Sequence, residues 1–374
     1  MSCMKYIWGQ EKWSTFNWYQ VSLSQLLEEV SYLQGKLVGK FEALSDTDNK
    51  ELWLENLIDE ARSTSKIEGI EIDVNSFRSS LLSKLGFIKN AKSHKKTDDG
   101  LAEILIDCTK SFNEKLSLKK IHGWHSSLFP TGVSGFQRIR VGKFRKEGIK
   151  VISGEIRERI HFEGPPAEGL KQEMKTMILW VNQEQATIPN NIKSGIAHLY
   201  FVTLHPYDDG NGRLARCLTD FLLAKNEKKA FRTYSFSKAI YKKRNEYYDI
   251  LEKTQKGSLN ITEWLTWFLE TLIFSIEDAL QTMSVVQNRA LFWSKAHQVG
   301  LTQRQEKALK KMMDVYPEEF KGGMTSKKYA SINGCLSEAA SREIRDLITK
   351  GLMVKDPEGG GGRATRYLVN VEND

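Results

Sequence analysis

The chain is short of several features that would place it in well-marked protein classes. Its 374 residues hold only four cysteines, Cys3, Cys108, Cys217 and Cys335, far apart and in no metal-ligand spacing. They read as reduced, mostly buried small side chains, which excludes a disulfide scaffold. No uninterrupted run of about 18 apolar residues is present, which excludes a conventional membrane-spanning helix. Met1 to Gln10 lacks the charged, apolar and small-residue order of a signal peptide, so a cytoplasmic setting is expected and secretion is not. There is no G-x-x-x-x-G-K-[ST] segment, so a P-loop is excluded. No internal repeat or long low-complexity tract occurs. Charge of one sign is scarcely in excess: 55 Lys and Arg face 47 Asp and Glu, a formal +8. Such a surplus fits nucleic acid, a nucleotide's phosphates, or no partner at all, so the position of the charge must decide.

What is abundant is helical periodicity. Gln25–Phe41 sets Leu26, Leu27, Val30, Leu33, Leu37 and Val38 on one face, with spacings of three and four. Asp46–Ser65 repeats the pattern through Leu52, Leu54, Leu57 and Ile58. Further helices are predicted over Leu101–Phe112, Leu116–Phe129, Glu168–Asn182, Asn191–Leu204, Arg213–Ala224, Lys238–Gln255 and Thr262–Val286. Only seven prolines occur, most of them where such stretches stop, as at Pro130, Pro165, Pro166 and Pro189. Trp8, Trp13, Phe16 and Trp18 crowd the N-terminus without helical spacing and suit a strap onto a core.

Two segments depart from the helical pattern. Gly142–His161 alternates charge with Ile149, Val151, Ile156 and Ile160, with turn residues at Glu147-Gly148 and Ser153-Gly154. A hairpin in a helical body has no sheet to join, so it reads as a lid or as an edge that pairs with a peptide. The last 75 residues read as a separate unit. Helices over Gln303–Tyr316, Ser326–Ile332 and Ser337–Lys350 precede strands at Leu352–Asp356 and Thr365–Val369 around a glycine-rich tip, the order of a winged helix.

The chemistry concentrates in HPYDDGNGRLAR, His205 to Arg216, a corner between two helical runs. Gly210, Asn211 and Gly212 bring backbone N–H groups to a helix start, where free donors and the positive dipole end attract an anion. Arg213 and Arg216, three apart, suit phosphate oxygens. Asp209 is a hard oxygen ligand for a magnesium ion bridging phosphates. His205 is the group here that accepts a proton near neutral pH. Together they describe a base that deprotonates a hydroxyl, which then attacks a cradled phosphorus.

This segment resembles the signature of the Fic family, HPFx[D/E]GN[G/K]RxxR, with Tyr207 in the place of the usual Phe. The resemblance covers roughly residues 100–275. It implies a mainly α fold with a β-hairpin flap and transfer of AMP from ATP to a hydroxyl side chain of a target protein, and of the chain itself. In that scheme His205 is the base and Asp209 the Mg2+ ligand. Gly210, Asn211 and Gly212 form the anion hole, and Arg213 and Arg216 hold the outer phosphates. The hairpin resembles the family's flap, with the target docking on residues 142–162 and Ile160, His161 and Phe162 near the nucleotide. Lys238–Gln255, with Arg244, Tyr247, Tyr248 and Gln255, resembles the helix bordering the adenine pocket. Removal of AMP, transfer of another nucleotide or phosphoryl group, and a nucleotide-sensing transcriptional regulator are the alternatives.

A second motif, Thr64-Ser-Lys-Ile-Glu68-Gly69, resembles the family's inhibitory pattern [S/T]xxxE[G/N]. Thr64 and Glu68 fall on one helical face, and Gly69 suits a left-handed stop. The resemblance implies that Glu68 pairs with Arg216 and holds ATP in an unreactive pose. The expected division is 1–95 for the N-terminal aromatic segment and inhibitory helix, 96–290 for the catalytic core, and 291–374 for the winged-helix module. Residues 301–374 carry 13 Lys and Arg against 11 Asp and Glu, so protein docking and DNA binding stand about even there. Ser337, Ser341, Arg342 and Arg345, with Arg363 and Arg366 on the wing, are the candidate DNA contacts. The run Lys242-Lys243-Arg244 is expected as solvated surface, a homodimer fits the family, and no membrane is expected.

Overall fold

The computed structural model describes residues 6–88, 95–153, 159–229, 232–318, 320–359 and 365–371. The expectations placed on Cys3, Gly154, Ile156 and Arg363 lie outside the described residues. The chain divides into two compact units at Ala279–Leu280. In the first unit the helices are α1 (Gln20–Glu42), α2 (Asp46–Ile67), α3 (Val74–Lys84), α4 (Lys96–Lys110) and α5 (Leu118–Leu128). A two-residue ribbon, β1 (Val133–Ser134) and β2 (Gln137–Arg138), and a longer one, β3 (Lys150–Ser153) and β4 (Arg159–Glu163), follow. Then come α6 (Leu170–Asn182), α7 (Asn190–Leu204), α8 (Asn211–Glu227), α9 (Phe236–Lys242), α10 (Arg244–Gln255) and the start of α11 (Thr262–Gln298). The fold is mainly helical. Among the described residues no helix is long and apolar enough to cross a membrane.

Local chemistry accounts for several boundaries. Ser45 caps α2 by accepting from the Asp48 N–H, and Asp46 and Asp48 favour the positive end of the helix. At the other end Gly69 has φ +73. The N–H groups of Gly69 and Ile70 donate to the carbonyls of Lys66 (3.1 Å) and Ser65 (3.0 Å), a Schellman stop that leaves Glu68 as the C-cap. α7 is buried from Asn191 to Leu204 except at Lys193, and α8 over most of its length, so this central pair is largely enclosed. α3 was not predicted; it is short, 11 residues, and buries only Phe77 and Leu81 of its apolar side chains. The single stretch predicted over Lys238–Gln255 is two helices broken at Lys243. α11 runs to Gln298, twelve residues beyond the predicted Val286.

The N-terminal aromatics pack on the first unit. The Tyr6 ring meets Phe162 edge-on, and Trp13 and Phe16 flank Tyr200. Trp8 Nε1 donates to the Glu163 carbonyl at 2.8 Å. In the second unit α12 (Gln303–Met313), α13 (Ser326–Asn333) and α14 (Ser337–Thr349) precede an antiparallel ribbon of β5 (Met353–Lys355) and β6 (Tyr367–Val369). Met324 bridges Tyr367 as a further antiparallel rung. Leu309, Met312, Tyr329, Ile344, Leu347 and Leu352 form the core of this unit.

Candidate active site

α7 ends at Leu204, and His205 follows it in the left-handed region, φ 46 and ψ 58. The turn ends where Gly210, φ 79, caps α8. Asn211 closes the loop between them: its Oδ1 accepts from the Tyr207 N–H (2.9 Å) and its Nδ2 donates to the Tyr207 carbonyl (2.8 Å). The Asn211 side chain therefore holds the loop, and what it offers an anion is its backbone N–H. Tyr207 is more than an apolar filler, since its buried ring places the hydroxyl 2.8 Å from His122 Nδ1.

A cavity of about 680 Å³ lies over this corner. It is walled by His205, Asp209, Asn211, Gly212 and Arg216 on the loop side and by Tyr247, Tyr248, Glu252 and Gln255 from α10. His161 and Phe162 come from β4, and Glu68 from the end of α2. Of the predicted residues, Ile160, Gly210, Arg213, Thr64 and Gly69 are not among its lining. Ile160 instead pairs with Ile152 across the ribbon.

His205 Nδ1 lies 3.1 Å from the Val202 carbonyl. A carbonyl only accepts, so Nδ1 carries the proton and Nε2 keeps its lone pair. Burial, with help from Arg145, holds His205 below its ordinary pKa, against the Val202 hydrogen bond and the Glu68 and Asp209 carboxylates. The imidazole is thus kept neutral and able to take a proton. Asp209 Oδ1 accepts from the Gly210 N–H at 2.6 Å, and its other oxygen accepts from the Ser134 hydroxyl. His125 accepts from the Gly142 N–H at Nδ1 (2.9 Å) and donates from Nε2 to the Asp209 carbonyl (3.3 Å). Burial pushes His125 down to about 4, so it stays neutral.

The strongest contact in the site is between Arg216 and the end of α2. Arg216 is 1% exposed. Its Nη2 donates to Glu68 Oε1 at 2.6 Å and to the Thr64 carbonyl at 3.1 Å, and Nε donates to Thr64 Oγ1 at 2.8 Å. Burial works against the guanidinium charge, but the Glu68 carboxylate outweighs it and raises the Arg216 pKa. Gly212 makes this approach possible: a Cβ there would stand 2.4 Å from Glu68 Oε1. The carboxylate thereby sits against the first turn of α8, where an anion is favoured. Two buried guanidinium nitrogens, Arg213 Nε and Arg216 Nη1, have no hydrogen-bond partner among the described residues. Arg213 otherwise stacks over Phe129 at 5.0 Å and lies 3.9 Å from Asp209.

α10 contributes two kinds of residue. Tyr247 is buried, its hydroxyl 2.9 Å from His198 Nε2, and Gln255 donates to Thr203 (3.2 Å). Tyr248, 39% exposed, donates to the Ile67 carbonyl (3.1 Å), as does Arg244 Nε (2.9 Å). The run Lys242-Lys243-Arg244 is accordingly not plain solvated surface: Arg244 holds the last turn of α2, and Lys242 pairs with Asp278 (2.7 Å). Sequence reasoning missed Glu252, which accepts from His161 Nδ1 at 2.6 Å and pairs with Arg159 and Lys256. It also missed Ser134 and His125. Ser134 and His125 lie far along the chain from Asp209, and Glu252 from His161, so no spacing rule points to these contacts.

Residues 115–223 match the Fic/DOC family, and residues 6–87 match a domain of unknown function (DUF4172). A probable protein adenylyltransferase of Aquifex aeolicus is 29% identical over 105 residues, 28% of this chain and 30% of that protein. A uridine 5'-monophosphate transferase of Xanthomonas campestris is 29% identical over 119 residues, 30% of this chain and 21% of the relative. The chain thus spans less than a third of the length of either relative. A crystal structure of a Fic family protein from Desulfovibrio desulfuricans covers 94% of this chain and 98% of its own, with a TM-score of 0.52 at 16% identity, a likeness of fold. Motif, fold and family match agree over residues 115–223, the stretch of this chain that is similar to the Fic/DOC family.

Proposed function

We propose that the protein transfers AMP from ATP to a hydroxyl side chain of a target protein, and that Glu68 restrains this transfer. The observation that carries the reading is the neutral His205 imidazole sharing one cavity with the N-terminus of α8 and with an Arg216 already engaged by Glu68. In the step, the target hydroxyl oxygen bonds to the α-phosphorus while its proton passes to His205 Nε2. The bond from that phosphorus to the α–β bridging oxygen breaks, and diphosphate leaves. The N–H groups at the start of α8 and the two orphaned guanidinium nitrogens suit the charge that this displacement spreads over phosphate oxygens.

The donor set bears on magnesium. Asp209 offers one carboxylate, and among the described residues no group of three His, Cys, Asp or Glu side chains is placed to hold a metal ion. That fits a hard cation which arrives with the polyphosphate and takes one carboxylate plus phosphate oxygens and water. The ion would neutralise phosphate charge, with Asp209 as its ligand from this chain.

Glu68 restrains the reaction by occupying Arg216 and the approach to Gly212, the position an outer phosphate needs. The flap takes the target as an added strand: β3 and β4 form a ribbon of two strands, and Ile152 on β3 is 49% exposed. The C-terminal unit serves as a winged-helix docking module for protein or DNA. A cytosolic setting suits an ATP-using enzyme with free Cys108, Cys217 and Cys335, and self-association is read by sedimentation. One observation favours a second nucleotide, namely the likeness to the uridine 5'-monophosphate transferase. Competition of UTP with ATP for the Glu68→Gly form separates the two. Labelled ATP tests the main reading: label on the α-phosphate should enter protein and label on the γ-phosphate should not.

A further inference from the structure

One buried cation of the first unit bonds to carbonyl oxygens instead of a carboxylate. Arg145 is 3% exposed. Its Nε donates to the His205 carbonyl (2.8 Å), Nη1 to the Glu147 carbonyl (2.7 Å), and Nη2 to the Pro165 carbonyl (2.6 Å) and, more weakly, to that of Leu204 (3.4 Å). The Arg145 N–H donates to the Pro206 carbonyl at 3.0 Å. Burying a guanidinium is costly unless its donors are satisfied, so this convergence has to be explained by what the acceptors do.

The acceptors fall into two groups. Leu204, His205 and Pro206 form the exit of α7, where unpaired carbonyls carry the negative end of the helix dipole. They also fix the left-handed turn that aims His205. Glu147 and Pro165 are the two roots of the β3–β4 flap. The same junction is closed from the flap side by Gly164, whose N–H donates to the Ile149 carbonyl at 3.0 Å. A Cβ at Gly164 would lie 2.8 Å from Ile149 Cγ2, 3.1 Å from Arg145 Nη2 and 3.6 Å from His205 Cβ. Flap root, arginine and catalytic turn are therefore packed without room for one methyl group.

We propose that Arg145 is a positioning residue that ties both roots of the flap to the His205 turn, so that a target strand docked on the flap is held in register with the base. The proposal rests on the transfer reading above. Arg145 does not touch the reacting atoms. It acts through the His205 backbone, and its charge acts on the imidazole. Removing that cation leaves Glu68, from the end of α2, and Asp209, from the loop, as the charged groups facing His205, and both favour the protonated ring.

The test measures two things on Arg145→Met, Arg145→Lys and Gly164→Ala, each in the full chain. One is the NMR titration of the His205 ring, assigned by its loss in His205→Ala. The other is kcat and KM for transfer in the Glu68→Gly background. Arg145→Met should raise the His205 pKa and lower kcat more than tenfold with a smaller change in the KM for ATP. Arg145→Lys should keep the His205 titration near the parent's and recover part of kcat. Gly164→Ala should lower kcat without raising the titration. A folded Arg145→Met with the parent's titration and kcat overturns the proposal. If Arg145→Met does not fold, Gly164→Ala decides, and an unchanged kcat there overturns it. If the Glu68→Gly parent transfers nothing, the transfer reading has failed, and the titration still reports on Arg145.

Discussion

The two units of this chain enclose different things. The first buries the charged side chains Glu60, Asp98, Arg145, Arg213, Arg216, Asp220 and Arg232, of which Arg145, Arg213 and Arg216 lie at the α7–α8 corner. The second is built on an apolar cluster about Leu309, Tyr329 and Leu347, with Glu343 and Asp356 as its buried charges. Glu343 accepts from the Tyr329 hydroxyl (2.7 Å) and pairs with Arg304, an arrangement that satisfies it and offers nothing to a ligand. Burying charge costs free energy unless every charge is matched. At the corner Arg213 Nε and Arg216 Nη1 keep no hydrogen-bond partner among the described residues, although the Arg216 charge itself is paired with Glu68. The lesson is that position decides: Arg232 Nε and Arg289 Nε are orphaned as well, but it is Arg216 that lines the cavity with His205. The surplus of +8 by itself fits nucleic acid, a nucleotide's phosphates or no partner equally.

That contrast is open to attack at several points. The largest effect is expected from His205→Ala, which should lower transfer by roughly 10²–10⁴-fold, as loss of a general base does; a labelling assay reads it directly. Next, Glu68→Gly should raise transfer by roughly 5–150-fold, the usual range of a coupling between two sites. A smaller loss, about tenfold in nucleotide affinity by calorimetry, is expected for Arg216→Lys in the Glu68→Gly form, because an ammonium cannot reproduce the planar fork.

The pH profile sharpens the same comparison. Since burial holds the His205 pKa below its ordinary value of about 6.5, the base stays neutral into mildly acid solution. The acid limb of kcat should fall below pH 6.5, and a limb above that value would contradict the assignment. The smallest effect on chemistry is expected in the second unit. Glu343→Ala should cost that unit about 1–3 kcal/mol in denaturant unfolding, because it strands the buried Tyr329 hydroxyl. Transfer should not change. A loss of transfer comparable to that of His205→Ala would break the division between the units.

How much of this was legible in the sequence follows from where the partners lie. The loop from His205 to Arg213 could be read because its functional groups sit within one turn and a cap, and local spacing fixes their relation. Thr64 and Glu68 were readable for the same reason, and so was the Gly69 stop. Their docking on Arg216 rested on resemblance, since no local rule joins residues 148 positions apart. Arg145, Ser134, His125 and Glu252 were invisible because each acts on a distant backbone carbonyl or side chain. Tyr207 shows a finer limit: one hydroxyl beyond phenylalanine finds His122, 85 residues away. The break at Lys243 was missed because residues 242–246, KKRNE, hold no proline or glycine to mark it, while the carbonyl of Ile67, supplied by another helix, accepts from Arg244 and Tyr248.

The central claim is that this corner transfers a nucleotide and that Glu68 holds it back. It is tested most directly by incubating the full chain and its Glu68→Gly and His205→Ala/Glu68→Gly forms with magnesium and ATP labelled on the α-phosphate. Protein-bound label is then measured, with intact mass as the identity check. The account predicts strong labelling with an added AMP for Glu68→Gly, much weaker labelling for the parent, and none for the double variant. Equal labelling of the parent and the Glu68→Gly form, or label that survives loss of His205, would contradict it.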